Sequence, residues 1–198
     1  MEPSRSSAEA DSPAPSVAAS PQRPVVLVGL MGAGKTTVGR RLARALGLPF
    51  KDADAEIEVA AGRSVADIFA ERGEAEFRVG ERRVIQRLLL GPPLVLATGG
   101  GAFMDPDTRR LIRTRALSIW LRAELDVLVR RCSRRANRPL LLMGDPLETL
   151  ERLARERYPI YAEADLTVET SESPHDAAVA AILQALGRHD PDLVRLPR

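Results

Sequence analysis

The chain has 198 residues, of which 44% are hydrophobic and 28% charged, and its formal net charge is +2. These values are typical of one soluble globular domain, and the small net charge gives no reason to expect nucleic acid or an anionic membrane as a partner. No apolar run reaches the roughly 18 residues that a transmembrane helix needs. Because Cys132 is the only cysteine, an intrachain disulfide is excluded and a reducing, cytoplasmic location is expected.

The first stretch of the chain is rich in Ser, Ala and Pro and shows no hydrophobic periodicity, so a disordered tail is predicted over residues 1–22. It lacks the apolar core of a secretory signal. A transit peptide is the weaker alternative, because the stretch contains acidic residues. One folded domain is therefore expected over residues 23–187, followed by a second tail over residues 188–198.

The strongest motif is Gly29–Thr36, which reads G-L-M-G-A-G-K-T and fits the phosphate-binding pattern G-x-x-x-x-G-K-[ST]. A short apolar run, residues 24–28, predicts a buried parallel strand before it, and apolar residues at helical spacing follow it. In such a loop the backbone N–H groups surround phosphate, Lys35 reaches the outer phosphates and the Thr36 hydroxyl can ligate Mg²⁺. The motif predicts a site for a magnesium nucleotide; the alternative is a glycine-rich turn with an unrelated lysine.

Two carboxylates follow the second predicted strand, residues 48–51, at the end where open α/β sheets bind ligands. Alternation along an extended chain would put Asp52 and Asp54 on the same side. Close to a nucleotide loop, this pair predicts a role in the magnesium shell. The alternative is that one carboxylate only caps the next predicted helix, residues 55–61.

Two helices are predicted next, over residues 64–70 and 74–90, with Gly73 as the break between them. On the longer helix Arg78 and Glu81 lie three residues apart and share a face. A solvated surface pair is the ordinary interpretation of such residues, and this stretch taken alone would favour it.

The third predicted strand, residues 94–97, is followed by three consecutive glycines, Gly99, Gly100 and Gly101. Glycines at the carboxyl end of a strand predict close approach of a substrate to the backbone, and a flexible turn is the alternative. The strand has no acidic residue at its end, which leaves Asp52 as the carboxylate expected near Mg²⁺.

The remaining chain continues the alternation, with helices predicted over residues 105–113, 124–133, 147–158 and 177–186 and strands over residues 117–121 and 166–168. The whole pattern predicts one α/β domain around a parallel sheet of about five strands. Trp120 is expected in the core, and His175 and His189 receive no role.

Five of the nine residues from Arg130 to Arg138 are arginine. Nucleic-acid binding is one interpretation of such a run, but it lacks interleaved aromatic residues and the whole chain is nearly neutral. A phosphoryl-transfer enzyme needs cations that close over the nucleotide and exclude water. A lid over residues 134–146 is therefore predicted.

Seven stretches in unbroken order, between about residues 24 and 170, resemble the shikimate kinase family. They are Gly29–Thr36, Asp52–Glu58, Gly62–Phe69, Gly73–Glu81, Gly99–Gly101, Arg138–Leu141 and Arg157–Tyr161. The phosphate loop alone is shared by many families, whereas the ordered combination is far more specific.

The resemblance implies a three-layer P-loop fold of the nucleoside-monophosphate-kinase type, with a mobile lid and a substrate-binding segment at about residues 52–82. It also implies a phosphotransferase that moves the γ-phosphate of ATP to the 3-hydroxyl of shikimate, a step toward chorismate and the aromatic amino acids. Mg²⁺ is the implied cofactor, shikimate and ATP are the implied small-molecule partners, and a monomer is expected.

Residue roles follow from the same resemblance. Those implied at the nucleotide are Gly32, Ala33, Gly34, Lys35, Thr36, Thr37, Arg131 and Arg138. Those implied at shikimate are Asp54, Arg78, Gly99, Gly100, Gly101 and Arg157. Thr36 and Asp52 are implied at Mg²⁺; Lys35, Asp54 and Arg138 are implied in catalysis, and Glu81 as a partner of Arg78. An adenine-contacting arginine found near the end of some members has no clear match around residues 171–175.

Two other functions remain open on the sequence. One is a kinase for gluconate or a nucleoside monophosphate, against which Asp52, Asp54, Arg78 and the three glycines argue. The other is a nucleotide-dependent regulatory protein that holds RNA on its arginine run, which predicts salt-sensitive RNA binding and no phosphate acceptor.

Overall fold

A computed structural model describes residues 23–133, 145–171 and 175–189 of the chain. The predicted N-terminal tail, Arg138 and most of the predicted lid lie outside these ranges. Within them the strands are β1 (Val25–Val28), β2 (Phe50–Asp52), β3 (Val95–Ala97), β4 (Leu117–Ala123) and β5 (Leu166–Thr170). The helices are α1 (Lys35–Leu46), α2 (Ala53–Ala61), α3 (Val65–Leu89), α4 (Pro106–Arg115), α5 (Leu125–Ser133), α6 (Pro146–Tyr161) and α7 (His175–His189), with a short 3₁₀ helix at Ala102–Met104.

The five strands form one parallel sheet in the order β2-β3-β1-β4-β5, with the helices of the described residues around it. The predicted fold class is therefore confirmed. All four residues of β1 are fully buried, as a strand covered on both faces requires. The chain leaves β1 toward one edge of the sheet, returns through β3 and continues on the other side at β4. Such a change of direction places a ligand crevice at the carboxyl ends of the central strands.

Local sequence signals account for most helix ends. Ser64 caps α3 and Asp105 caps α4, each by a side-chain oxygen that accepts a backbone N–H. Gly47 ends α1 in a left-handed conformation. Gly73 has φ 76° and ψ 175°, so the chain is kinked there inside α3, as the sequence predicts. None of the helices among the described residues is long and apolar enough to cross a membrane.

Helices α2 and α3 carry a small hydrophobic cluster of their own, separate from the main core around the sheet. Its buried members are Ile57, Ile68, Phe77 and Val84. The rings of Phe69 and Phe77 lie 4.4 Å apart, centroid to centroid. This cluster holds the two helices together beside the end of β2, and so supports the segment that the sequence predicts to bind the substrate.

The structure extends several predicted elements. Helix α6 continues through Pro159 to Tyr161, although a helix-internal proline removes a backbone hydrogen bond. Tyr161 is fully buried, and its tertiary packing compensates for the lost bond. Strand β4 runs on to Ala123, and α7 includes residues 188 and 189, which the sequence predicts to be part of the C-terminal tail.

Candidate active site

The phosphate loop joins β1 to α1, and its backbone needs glycine at Gly32. There φ is 82°, and a Cβ atom would lie 2.8 Å from the Sγ atom of Cys132. Lys35 Nζ donates hydrogen bonds to the carbonyl oxygens of Gly29 (2.7 Å) and Leu30 (3.0 Å). Lys35 is thus hydrogen-bonded to the backbone of the phosphate loop, where the sequence predicts that it reaches the outer phosphates.

Thr36 and Asp52 meet across the ends of α1 and β2. The Thr36 hydroxyl donates a 2.8 Å hydrogen bond to Asp52 Oδ2, while Asp52 Oδ1 accepts the backbone N–H of Asp54 at 3.2 Å. Asp52 therefore caps α2, so the capping interpretation of this carboxylate is correct. It also contacts Thr36 of the phosphate loop, and its role in the magnesium shell stays a prediction. The alternation argument for Asp54 is wrong, because α2 begins at Ala53 and Asp54 is not in an extended strand.

Asp54 is exposed at the mouth of the site, but its carboxyl group is surrounded by protein on the other side. Burial of that group raises its pKa, and the negative charge of Asp52 raises it further, while Lys35 and Arg78 lower it. This environment favours proton uptake by Asp54 compared with an ordinary aspartate.

Arg78 and Glu81 form a buried ion pair, not the solvated pair that the local sequence favours. Arg78 Nη1 donates to Glu81 Oε2 at 2.7 Å, and Glu81 is only 2% exposed. A second, exposed carboxylate, Glu74, accepts from Arg78 Nη2 at 2.9 Å. Burial lowers the pKa of Arg78, but Glu81 and Glu74 together raise it above its ordinary value. Burial also raises the pKa of Glu81, against the opposing effect of Arg78.

Each of the three consecutive glycines makes room for a different side chain. A Cβ atom at Gly99 would lie 2.9 Å from an oxygen of Asp54 and equally close to one of Glu81. A Cβ atom at Gly101 would overlap the Arg78 guanidinium. The protein's own side chains thus approach this loop closely, and the close approach of a substrate stays a prediction.

Arg157 approaches the middle member of this loop, Gly100. A Cβ atom there would lie 3.3 Å from Arg157 Nη1 and 3.8 Å from the hydroxyl oxygen of Tyr161. The loop is therefore bordered by Asp54 and Glu81 at Gly99, by Arg157 at Gly100 and by Arg78 at Gly101. Carboxylates accept hydrogen bonds from hydroxyl groups, and guanidinium groups bind carboxylates, so this arrangement suits a small hydroxylated acid.

A cavity of about 100 Å³ lies on the other side of the phosphate loop. It is lined by Arg131, Glu169, Thr170, Ser171, His175, Ala177 and Ala178. Arg131 Nη1 donates to the carbonyl oxygen of Gly32 at 3.4 Å, and Arg131 Nη2 donates to that of Ser171. Through Arg131 the cavity thus adjoins the phosphate loop, where the sequence predicts the nucleotide to bind.

Sequence reasoning missed two groups of this site. His175 received no role, yet it lines the cavity, and its Cε1 atom lies 3.8 Å from where a Cβ atom of Gly34 would be. Thr170 donates from its hydroxyl to the carbonyl oxygen of Ala33 at 3.4 Å. Neither residue stands out in sequence, because the pairing of β5 with β4 brings Thr170 to the loop and the packing of α7 brings His175 there. Trp120 is 5% exposed, which confirms its prediction as a core residue.

A parallel sheet with a phosphate loop after its central strand, and beside it a crevice bordered by arginines and carboxylates, defines a P-loop kinase of a small molecule. The chain matches the family model "Shikimate kinase" over residues 31–187. It belongs to the shikimate kinase family.

Known shikimate kinases are similar in sequence to this chain over most of their length. The shikimate kinase of Caulobacter vibrioides is 62% identical over 162 residues, which cover 82% of this chain and 81% of that protein. The shikimate kinase of Paramagnetospirillum magneticum is 58% identical over 164 residues, covering 83% and 84%.

Solved structures give the same result. The shikimate kinase from Acinetobacter baumannii in complex with shikimate has a TM-score of 0.81 and 39% identity, with 85% of this chain and 94% of that chain covered. A gluconokinase from Sinorhizobium meliloti 1021 has a TM-score of 0.63 at 20% identity, with 88% and 97% covered, and shares only the fold.

Proposed function

We propose that this protein transfers the γ-phosphate of ATP to the 3-hydroxyl group of shikimate, giving 3-phosphoshikimate and ADP. One observation carries this proposal: the Gly99–Gly101 loop is bordered by carboxylates at Gly99 and by guanidinium groups at Gly100 and Gly101. Shikimate has the matching chemistry, hydroxyl groups and a carboxylate on one small ring. Membership of the shikimate kinase family supports the same acceptor and a place in aromatic amino acid biosynthesis.

The acceptor is held by groups of opposite character. Arg78 and Arg157 bind its carboxylate, and Asp54 accepts a hydrogen bond from the hydroxyl that attacks the phosphorus. As the new O–P bond forms, that hydroxyl loses its proton, and the raised pKa of Asp54 favours Asp54 as the acceptor of this proton. The Gly99–Gly101 backbone approaches the substrate between these groups.

The nucleotide is held by the phosphate loop. Backbone N–H groups over residues 32–37 surround its phosphates, and Lys35 exchanges its bonds to Gly29 and Leu30 for bonds to the outer phosphates. Arg131 lies beside the cavity next to the loop, where the base would bind. Arg138, from the predicted lid, supplies positive charge to the transferring phosphoryl group.

Thr36 and Asp52 fit a magnesium ion. A hydroxyl and a carboxylate oxygen lie 2.8 Å apart beside the phosphate loop, and Mg²⁺ prefers such hard oxygen donors, usually one or two from protein together with substrate phosphates. When bound, the ion neutralises charge on the phosphates. Thr36, at the start of α1, and Asp52, at the end of β2, would hold the ion.

One assay separates this proposal from the alternatives. ADP release is coupled to NADH oxidation, with shikimate, gluconate or a nucleoside monophosphate as the acceptor. We expect turnover with shikimate only, its loss when EDTA removes Mg²⁺, and its loss in Asp54→Asn protein with an unchanged melting temperature or a higher one. Folded wild-type protein that turns over gluconate but not shikimate would contradict the proposal.

Three further expectations stay predictions: a cytoplasmic location, a monomer, and no nucleic-acid partner. Salt-sensitive RNA binding without an acceptor would favour the regulatory alternative instead.

A further inference from the structure

Tyr161 ends α6 and contacts the loop that the substrate approaches. The residue is fully buried, and its hydroxyl group donates a hydrogen bond to the carbonyl oxygen of Gly100. Arg157 lies one helical turn earlier on the same face of α6. Because Arg157 Nη1 and the Tyr161 hydroxyl both lie near the position of a Gly100 Cβ atom, the three residues form one contact group.

The bond to Gly100 fixes a peptide plane. A trans peptide is planar, and its C=O and N–H bonds point in opposite directions. With the Gly100 carbonyl held by Tyr161, the N–H of Gly101 on the same peptide must point away from Tyr161. The neighbouring carbonyls are also held, since Gly99 O accepts from Ala102 N at 3.2 Å and Gly101 O accepts from Met104 N at 3.0 Å. The loop can thus present N–H groups to an anion.

We propose that Tyr161 is a positioning residue for the acceptor: its hydroxyl group holds the Gly100–Gly101 peptide and the Arg157 guanidinium in the orientation that binds the substrate carboxylate. This inference rests on the proposed function, because it takes the carboxylate of shikimate as the ligand. The Tyr161 hydroxyl uses its single proton on Gly100, so only its lone pairs remain for the N–H groups of Arg157.

The surroundings of Tyr161 suit this role. Its ring packs against Phe103 (6.5 Å between centroids) and Trp120 (5.9 Å), which leaves the hydroxyl little freedom. Burial raises the pKa of Tyr161 to about 12, while the charge and hydrogen bonding of Arg157 lower it. The phenol therefore keeps its proton, and its bond to Gly100, throughout the pH range of an assay.

The test is Tyr161→Phe, which removes the hydroxyl group and keeps the ring. We expect the KM for shikimate to rise about tenfold, because the variant lacks the hydrogen bond that holds the Gly100 carbonyl group. The KM for ATP should change less than about twofold, because Tyr161 does not border the nucleotide. A purely structural role would lower stability and affect both substrates.

Tyr158→Phe is the matched control. Tyr158 lies on the same helix, packs against Trp120 at 5.0 Å and donates its hydroxyl proton to the carbonyl oxygen of Ala123 at 3.2 Å. Removal of the Tyr158 hydroxyl group should leave the KM values for shikimate and ATP unchanged. Trp120 is the only tryptophan, so an unchanged emission spectrum in both variants shows that the aromatic packing is intact.

A double-mutant cycle completes the experiment. If Tyr161 acts partly through Arg157, Tyr161→Phe should raise the shikimate KM less in an Arg157→Ala background than in the wild type. Equal increases in the KM values for shikimate and ATP would overturn the inference. An unchanged KM for shikimate in the Tyr161→Phe variant would also overturn it. Failure of wild-type protein to turn over shikimate would instead overturn the proposed function, so the two failures are distinguishable.

Discussion

Glu81 Oε2 accepts a 2.7 Å hydrogen bond from Arg78 Nη1, and Glu81 is only 2% exposed. Its other oxygen, Oε1, is buried and has no hydrogen-bond partner among the described residues. That oxygen lies as close as Asp54 Oδ1 to the position of a Gly99 Cβ atom. Glu81 thus connects Arg78 to the end of the loop where the acceptor hydroxyl groups are expected.

Replacing Glu81 with glutamine should weaken acceptor binding. Arg78 would lose its buried charged partner, and we expect the KM for shikimate to rise about tenfold with a small effect on the KM for ATP. Glu74→Gln is the control, because Glu74 is 67% exposed and exposed pairs contribute little. Steady-state kinetics of both variants checks this; an equal effect of the two substitutions would contradict it.

The same variant should change how stability depends on pH. Burial raises the pKa of Glu81 above its ordinary 4.5, so the folded state binds this proton more tightly than the unfolded state. Stability of the wild type then falls as pH rises from the ordinary pKa through the raised one, and Glu81→Gln removes that loss. The melting temperature of the Glu81→Gln variant should therefore rise relative to that of the wild type as pH increases. The opposite trend would show that the Arg78 pair dominates.

Gly101→Ala should damage the acceptor end of the site. The added methyl group would overlap the Arg78 guanidinium, so we expect at least a tenfold rise in the KM for shikimate and little change for ATP. The control is Gly80→Ala in α3, where a Cβ atom would meet nothing within 4 Å. Because alanine favours a helix over glycine by up to about 1 kcal/mol, this variant should keep activity and gain stability. Normal kinetics in Gly101→Ala would contradict the assigned contact.

The acid limb of the pH profile should report on Asp54. Burial raises the pKa of Asp54 most and Asp52 raises it next, so Asp52→Asn should shift the acid limb of kcat/KM for shikimate to lower pH. Asparagine caps helices as well as aspartate does, so α2 should remain intact. Glu56→Gln on the same helix should leave the limb in place. A limb unmoved in Asp52→Asn would contradict the effect of the Asp52 charge on the pKa of Asp54.

Arg138→Ala should reduce kcat with folding unchanged. An arginine supplied to a phosphoryl-transfer transition state contributes on the order of 10³–10⁵ in rate in GTPases, so a large loss is expected. The measurement is kcat at saturating ATP and shikimate, beside the melting temperature. Near-normal turnover would remove Arg138 from the mechanism.

Local chemistry made much of this protein predictable from its sequence. The motif Gly29–Thr36 can be recognised from its spacing alone, because a phosphate loop needs glycines, a lysine and a hydroxyl group at set intervals. The buried strands and the caps at Ser64 and Asp105 are equally local, since apolar runs and side chain to backbone bonds span only a few residues. The ordered stretches from residue 24 to 170 also indicated the family.

Only the tertiary structure decided how the acceptor end is built. Arg78 and Glu81 are three residues apart in any helix, but their burial depends on the packing of α3 against the Gly99–Gly101 loop. Tyr161 and Gly100 are 61 residues apart and meet because α6 packs against the 3₁₀ helix that follows the glycine loop. Sequence spacing determines contacts within one element, whereas contacts between elements depend on strand order and side-chain packing. The phosphate loop could therefore be predicted from the sequence, whereas the contacts that orient the acceptor could not be predicted from it.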